Sequence, residues 1–228
     1  VLLHDYDRAI SKYASILNKD PSDSIKVKIF FQLGEIYLIH LAKITESIKY
    51  FNLVKDTTSD PIWLVKAEEK IGELNFTFLR DFKSASTNYK NLTTFKPRLD
   101  KYDFFQYRLA TSYKKNGDLD KALKIFNEIS KQNNHTYKNE AKYKEGLIYF
   151  QKQEWQKAIS SWKQYILIET RKDNLVRAKF LIANSYEMLE ELRQAYNIYY
   201  SILGEYPNTE VVQNRLEAIY NRRIARKR

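Results

Sequence analysis

A small residue followed four positions later by an aromatic recurs six times in this 228-residue chain: Ala9/Tyr13, Ser47/Phe51, Ala85/Tyr89, Ala122/Phe126, Ala158/Trp162 and Ala195/Tyr199. The gaps between the small residues are 38, 38, 37, 36 and 37. Spacing this regular restricts the chain to architectures that stack one unit many times. Three positions before each small residue stands another large apolar or aromatic residue: Tyr6, Ile44, Phe82, Leu119, Trp155 and Leu192. Residues three and four apart share a helix face, so each segment predicts an amphipathic helix. The small residue on that face lets a neighbouring helix approach closely.

A second pattern lies upstream of the first: LGEIY (33–37), IGELNF (71–76), LATSY (109–113), EGLIY (145–149) and IANSY (182–186). A small residue is followed three later by Tyr, except after Gly72, where Asn75 stands there and Phe76 follows. Each unit therefore reads as two helices and a short turn. Helices are predicted near 5–18, 24–41, 43–56, 61–79, 82–94, 99–115, 119–131, 136–152, 155–169, 172–189, 192–204 and 208–225. Gly117, in LATSYKKNGDLDKALKIF (109–126), falls in one such turn and reads as punctuation rather than an anion-binding loop. Pro21, Pro97 and Pro207 each lie twelve residues after a small residue, and Pro61 fourteen, where the second helix should end. With only five glycines and four prolines there is little turn chemistry for an all-β fold.

These units resemble tetratricopeptide repeats (TPRs). The marks are a small residue then an aromatic in the first helix, Gly-Asp-Leu at the Gly117 turn, Ala then an aromatic in the second helix, and proline at the exit. The resemblance covers essentially the whole chain. It departs from the family in its period, in having glycine at one turn only, and in Ser47. It implies an all-α fold, an α-solenoid of about five helix pairs in a right-handed superhelix. The expected organisation is one solenoid domain over 1–228. A half repeat spans 1–21, repeats run over about 24–60, 61–98, 99–135, 136–171 and 172–207, and a capping helix spans 208–228. Val212, Leu216 and Ile219 of that cap would face the last unit, with its arginines in water. The half repeat suggests the C-terminal fragment of a longer protein. The long units and the Tyr206-Pro207-Asn208-Thr209 exit resemble bacterial adaptors of the envelope and motility machines, among them the outer-membrane assembly lipoprotein and the Tol–Pal coordinator. That likeness implies a periplasmic or cell-envelope location, the cytoplasm being the other compartment open to it, and membrane contact only peripherally or through an upstream anchor.

Little in the sequence suggests catalysis. There is no cysteine, which excludes thiol chemistry and cysteine metal sites. His4, His40 and His135 fall in different units without an i,i+4 partner, so no metal is expected. No phosphate-binding or nucleophile motif is present. The expectation is a protein that is not an enzyme, needs no cofactor, and binds one or more proteins, another subunit of a multiprotein assembly being one such partner.

In this family the first helix of each unit lines the concave groove. The resemblance therefore implies a protein-binding surface from Phe31, Glu69, Tyr107, Tyr143 and Phe180, three before each small residue. One turn on come Glu35, Glu73, Thr111, Leu147 and Asn184, with Lys114 nearby. The aromatics among them have two readings, a ladder gripping a partner or packing between units. A clamp for a partner's C-terminal carboxylate is not expected, because Phe180 stands where such a clamp would carry lysine. A second candidate surface is basic. Of the formal charge of +11, the last fourteen residues hold Arg215, Arg222, Arg223, Arg226, Lys227 and Arg228 against one Glu. This patch could meet an acidic protein, an anionic membrane or nucleic acid. Nucleic acid is not expected, since Tyr220 alone does not supply interleaved stacking aromatics.

Overall fold

The amphipathic segments fold as helices throughout residues 2–225, which are those the computed structural model describes. The order is α1 (Leu2–Leu17), α2 (Asp23–Ile39), α3 (Ile44–Thr57), α4 (Pro61–Leu74), α5 (Phe82–Thr94), α6 (Tyr102–Asn116), α7 (Leu119–Lys131), α8 (Lys138–Gln151), α9 (Trp155–Ile166), α10 (Lys172–Met188), α11 (Leu192–Ser201) and α12 (Thr209–Ala225). A π-helical turn, Asn75–Leu79, extends α4. No strand occurs among the described residues, and the fold is an all-α array of helical hairpins. The chain forms two compact units, Val1–Asp118 and Leu119–Arg228.

The two sequence patterns meet inside the hairpins α2–α3, α4–α5 and α8–α9. The small residue of a first helix faces the aromatic of the second. A Cβ on Gly34 of α2 would lie 2.7 Å from the Phe51 ring of α3, and one on Gly146 of α8 would lie 2.3 Å from Trp162 Nε1 of α9. The glycines are what let these rings sit flat on the neighbouring helix. Phe51, Tyr89, Phe126, Trp162 and Tyr199 are all buried. So are Ser47, Ala85, Ala122, Ala158 and Ala195, and the Ser47 hydroxyl is satisfied by donating to the Gly34 carbonyl at 2.8 Å.

The turns share one backbone solution. Five residues before each small residue of a second helix, the chain turns left-handed: Ala42 (φ 51°), Arg80 (53°), Gly117 (89°), Gln153 (60°) and Glu190 (59°). At the last three, the next amide closes the helix end: Asp118 N–H donates to the Tyr113 carbonyl, Glu154 to Tyr149 and Glu191 to Tyr186, each at 2.9 Å. This is the Schellman arrangement, which glycine favours. Glycine fills only one of the five sites.

At the C-terminal end α12 buries Val212, Leu216 and Ile219 against the unit 2 core, as its apolar spacing requires. Helix α9 stops at Ile166, three residues earlier than the 155–169 expected, and Glu169 then caps the turn into α10. Its carboxylate accepts the Thr170 and Arg171 amides at 3.0 Å each, Tyr165 Oη at 2.6 Å and Asn174 Nδ2 at 3.2 Å, and it pairs with the Arg171 guanidinium at 2.8 Å. Arg171 above all, then Tyr165, the Arg171 amide and Asn174, hold this carboxyl far below the usual range, although burial opposes them.

Candidate functional site

The first-helix positions behave differently in the two units. In the first unit, Phe31 is buried, its ring 5.2 Å from Phe51 and 5.3 Å from Trp63. It bridges its own hairpin to α4. Glu35 pairs with Lys70 of α4 at 3.3 Å, and Glu69 pairs with Lys101, just before α6, at 2.7 Å. These acids are spent on neighbouring first helices. Thr111 donates to the Tyr107 carbonyl at 2.8 Å, leaving its hydroxyl little to offer a ligand. Tyr107 and Lys114 are half-buried on α6, and Glu73 is exposed on α4.

In the second unit, Tyr143 sits 5.2 Å from Tyr165, and Phe180 stacks on Tyr206 at 4.5 Å and 20°. Both rings nevertheless border open space. Tyr143, Arg177, Phe180, Leu181, Tyr206, Pro207 and Asn208 enclose a hollow of about 350 Å³ between α8, α10 and the segment leading into α12. Burial pushes the Tyr143 phenol up, with the Arg177 charge partly opposing it. Arg177 is exposed and forms no ion pair with the described residues. The Asn208 side chain caps α12, its Oδ1 accepting from the Val211 amide at 3.2 Å, so its NH₂ remains a donor. Leu147 packs on the same core, and Asn184, one turn beyond Phe180, has a buried Oδ1 with no hydrogen-bond partner.

The sequence pattern supplies Tyr143 and Phe180 but not Arg177, Leu181 and Asn208, which complete the hollow. Arg177 and Leu181 had a signal. They lie three before and one after Phe180, on its side of α10.

The basic helix is less free than its composition suggests. Arg222 pairs with Glu187 at 3.1 Å and also with Glu190, and Arg215 reaches Glu187 at 3.5 Å. The Arg223 guanidinium lies 5.6 Å from the centre of the Tyr196 ring. Arg226, Lys227 and Arg228 lie outside the described residues. Among those described, no three His, Asp or Glu side chains converge to hold a metal, and no helix is long and apolar enough to cross a membrane.

Comparison with known proteins bears on the fold. A tetratricopeptide repeat model matches residues 105–133, and a domain of unknown function (DUF6340) matches 144–213, which contains every residue of the hollow except Tyr143. No curated protein matches the chain. The fold is similar to that of a tetratricopeptide repeat protein from Parabacteroides merdae ATCC 43184, with TM-score 0.64, 16% identity, and coverage of 86% of this chain and 72% of that one. It is also similar to a chain in the structure of Naa15/Naa10 bound to HypK-THB, with TM-score 0.75 and 16% identity. That match takes in 96% of this chain but 32% of the other, so this chain spans about a third of its length. The MamA protein is a further match, with TM-score 0.52, 18% identity, and coverage of 79% of this chain and 95% of that one. The chain thus carries one matched tetratricopeptide repeat, at residues 105–133, and its fold is similar to that of a solved tetratricopeptide repeat protein.

Proposed function

We propose that this protein is a non-catalytic adaptor that holds a partner protein against its first helices, the second unit supplying the principal contact. The observation that carries this reading is the hollow at Tyr143, Arg177 and Phe180, where first-helix side chains pack on one side and border open space on the other. Aromatic and Arg side chains in such settings are frequent interface anchors. The tetratricopeptide-repeat fold serves protein–protein interaction generally, and one similar structure is of a complex bound to a partner protein, HypK-THB.

The context proposed is a bacterial envelope or motility assembly, on the strength of the 36–38-residue period and the Tyr206-Pro207-Asn208-Thr209 exit. The basic helix as a docking site for an anionic partner is the weaker reading, because Arg215 and Arg222 already pair with Glu187.

The experiment is capture of partners from the source organism at low and moderate salt, using the full chain, a chain ending at Tyr220, and Tyr143→Ala. Partners held by the first helices survive salt and tail removal and are lost with Tyr143→Ala. Partners lost with salt and tail but kept by Tyr143→Ala place the binding on the basic end and overturn the reading.

A further inference from the structure

The hollow has a chemical bias that narrows its occupant. Its walls are apolar: the faces of Phe180, Tyr206 and Tyr143, the Leu181 side chain and the Pro207 ring. A volume of about 350 Å³ is at the small end of ligand sites. It suits a side chain and its adjoining backbone better than a cofactor.

The polar groups at its edge are strongly one-sided. Arg177 is the one formal charge in the lining and carries donors only. Asn208 has spent its oxygen on the α12 cap and presents its NH₂. No carboxylate lines the hollow. An occupant that satisfies this edge brings acceptors and negative charge, and one that satisfies the walls brings apolar surface. A lysine-rich segment leaves Arg177 repelled, and a wholly polar one leaves the walls wet. The contrast within the molecule supports the assignment. Arg171, one helical turn and a half before Arg177, is neutralised by Glu169, whereas Arg177 has no carboxylate partner among the described residues.

We propose that this hollow binds an extended acidic segment of a partner protein, seating one apolar or aromatic side chain against Phe180 and Tyr206 while an adjacent Asp or Glu side chain pairs with Arg177. The inference rests on the adaptor reading above and names the partner chemistry of the same site. The carboxylate is assigned to an internal side chain, and a chain terminus in its place is one of the outcomes the test separates.

The test is fluorescence anisotropy of the full chain with acetylated, amidated, dye-labelled peptides in Gly/Ser flanks. Their cores are Asp-Phe-Glu, Lys-Phe-Lys and Asp-Ser-Glu. An Asp-Phe-Glu peptide with a free carboxyl terminus and a short oligothymidylate complete the set. The amidated Asp-Phe-Glu peptide should bind about tenfold tighter than either of the other two cores, and Arg177→Gln should weaken it by about tenfold. Arg177 is exposed, so this variant should fold, and circular dichroism checks that it does. Exposed Arg193→Gln on α11 is the control and should bind as the parent does. Equal binding of all three cores, no binding of the amidated peptide, binding that requires the free terminus, preference for the oligonucleotide, or indifference to Arg177→Gln each overturns the proposal. A partner captured through Tyr143 yet insensitive to Arg177→Gln would leave the adaptor reading standing while this inference fails.

Discussion

In the unit Val1–Asp118, Phe31 is clasped between Phe51 and Trp63, and Glu35 and Glu69 are each tied to a lysine near or on the next first helix. In the unit Leu119–Arg228, the matching Tyr143 and Phe180 also pack on aromatics, yet keep one side on a hollow edged by Arg177, which has no carboxylate partner among the described residues. The same register position thus closes the structure in one unit and leaves it open in the other. The difference lies in what is brought alongside. In the first unit the following first helix contributes Trp63 and Lys70. In the second, Tyr206-Pro207-Asn208 curls over α10 and walls the space without filling it.

Beneath that difference the hairpins obey one rule, and the first prediction tries to break it. If a missing Cβ is what seats the aromatic ring, adding one should hurt in proportion to the clash. Gly146→Ala meets the Trp162 ring at 2.3 Å, Gly34→Ala the Phe51 ring at 2.7 Å, and Gly72→Ala only Asn88 Cβ at 3.1 Å. Overpacking of this kind costs about 1–3 kcal/mol. Denaturant midpoints should fall most for Gly146→Ala and least for Gly72→Ala. Equal midpoints would mean that the two units seat their rings by some other means.

The next effect belongs to unit 2. Glu169 has its carboxyl pKa depressed by Arg171 and by the hydrogen bonds around it. A depressed carboxyl contributes stability above its unfolded value, ordinarily 4.5, and loses it as pH falls through the folded value. The unfolding midpoint of Glu169→Gln should therefore lie below that of the parent at neutral pH, and the gap should narrow once the pH drops under about 4.5. A gap constant across that range would show that the carboxylate's charge contributes nothing.

How much of this was legible follows from the range of the forces involved. Helix periodicity is local, so the positions of the helices, the small residues and the buried Val212, Leu216 and Ile219 could be read from spacing alone. The site could be read only by half. Tyr143 and Phe180 sit at a repeating position, but whether the ring is covered depends on Trp63 in one unit and on the 206–208 segment in the other, neither at an equivalent place in its repeat. The basic helix shows the same limit. Arg222 finds Glu187 thirty-five residues away, a pairing no local pattern announces. The π-helical turn at Asn75–Leu79 likewise left only the irregular Asn75-Phe76 as a sign.

The turns sharpen the comparison on a smaller scale. A left-handed residue with a Cβ costs about 1–2 kcal/mol relative to the right-handed form, and glycine escapes this. Gly117→Ala should therefore destabilise the chain by about 1 kcal/mol. Gln153→Gly in unit 2 and Arg80→Gly in unit 1 should each stabilise it by less, since glycine also loosens the unfolded chain, whereas Glu190→Gly also removes the ion pair with Arg222 and should gain nothing. Loss of stability in both Gln153→Gly and Arg80→Gly would mean that these side chains do more at the turns than tolerate a strained backbone.

The smallest effect lies in the first unit's core. Tyr89 is buried, its hydroxyl has no hydrogen-bond partner, and burial pushes its phenol up to about 12. A buried hydroxyl without a partner carries its desolvation cost uncompensated. Tyr89→Phe should therefore leave the melting temperature unchanged or slightly raised. Tyr199→Phe in unit 2 removes a hydroxyl that donates to Glu187 at 3.3 Å, and should lower it by the equivalent of about 1 kcal/mol. If the two variants respond alike, the hydroxyls of the two cores are equivalent, and the difference between the units is confined to the face where Tyr143 and Phe180 meet the hollow.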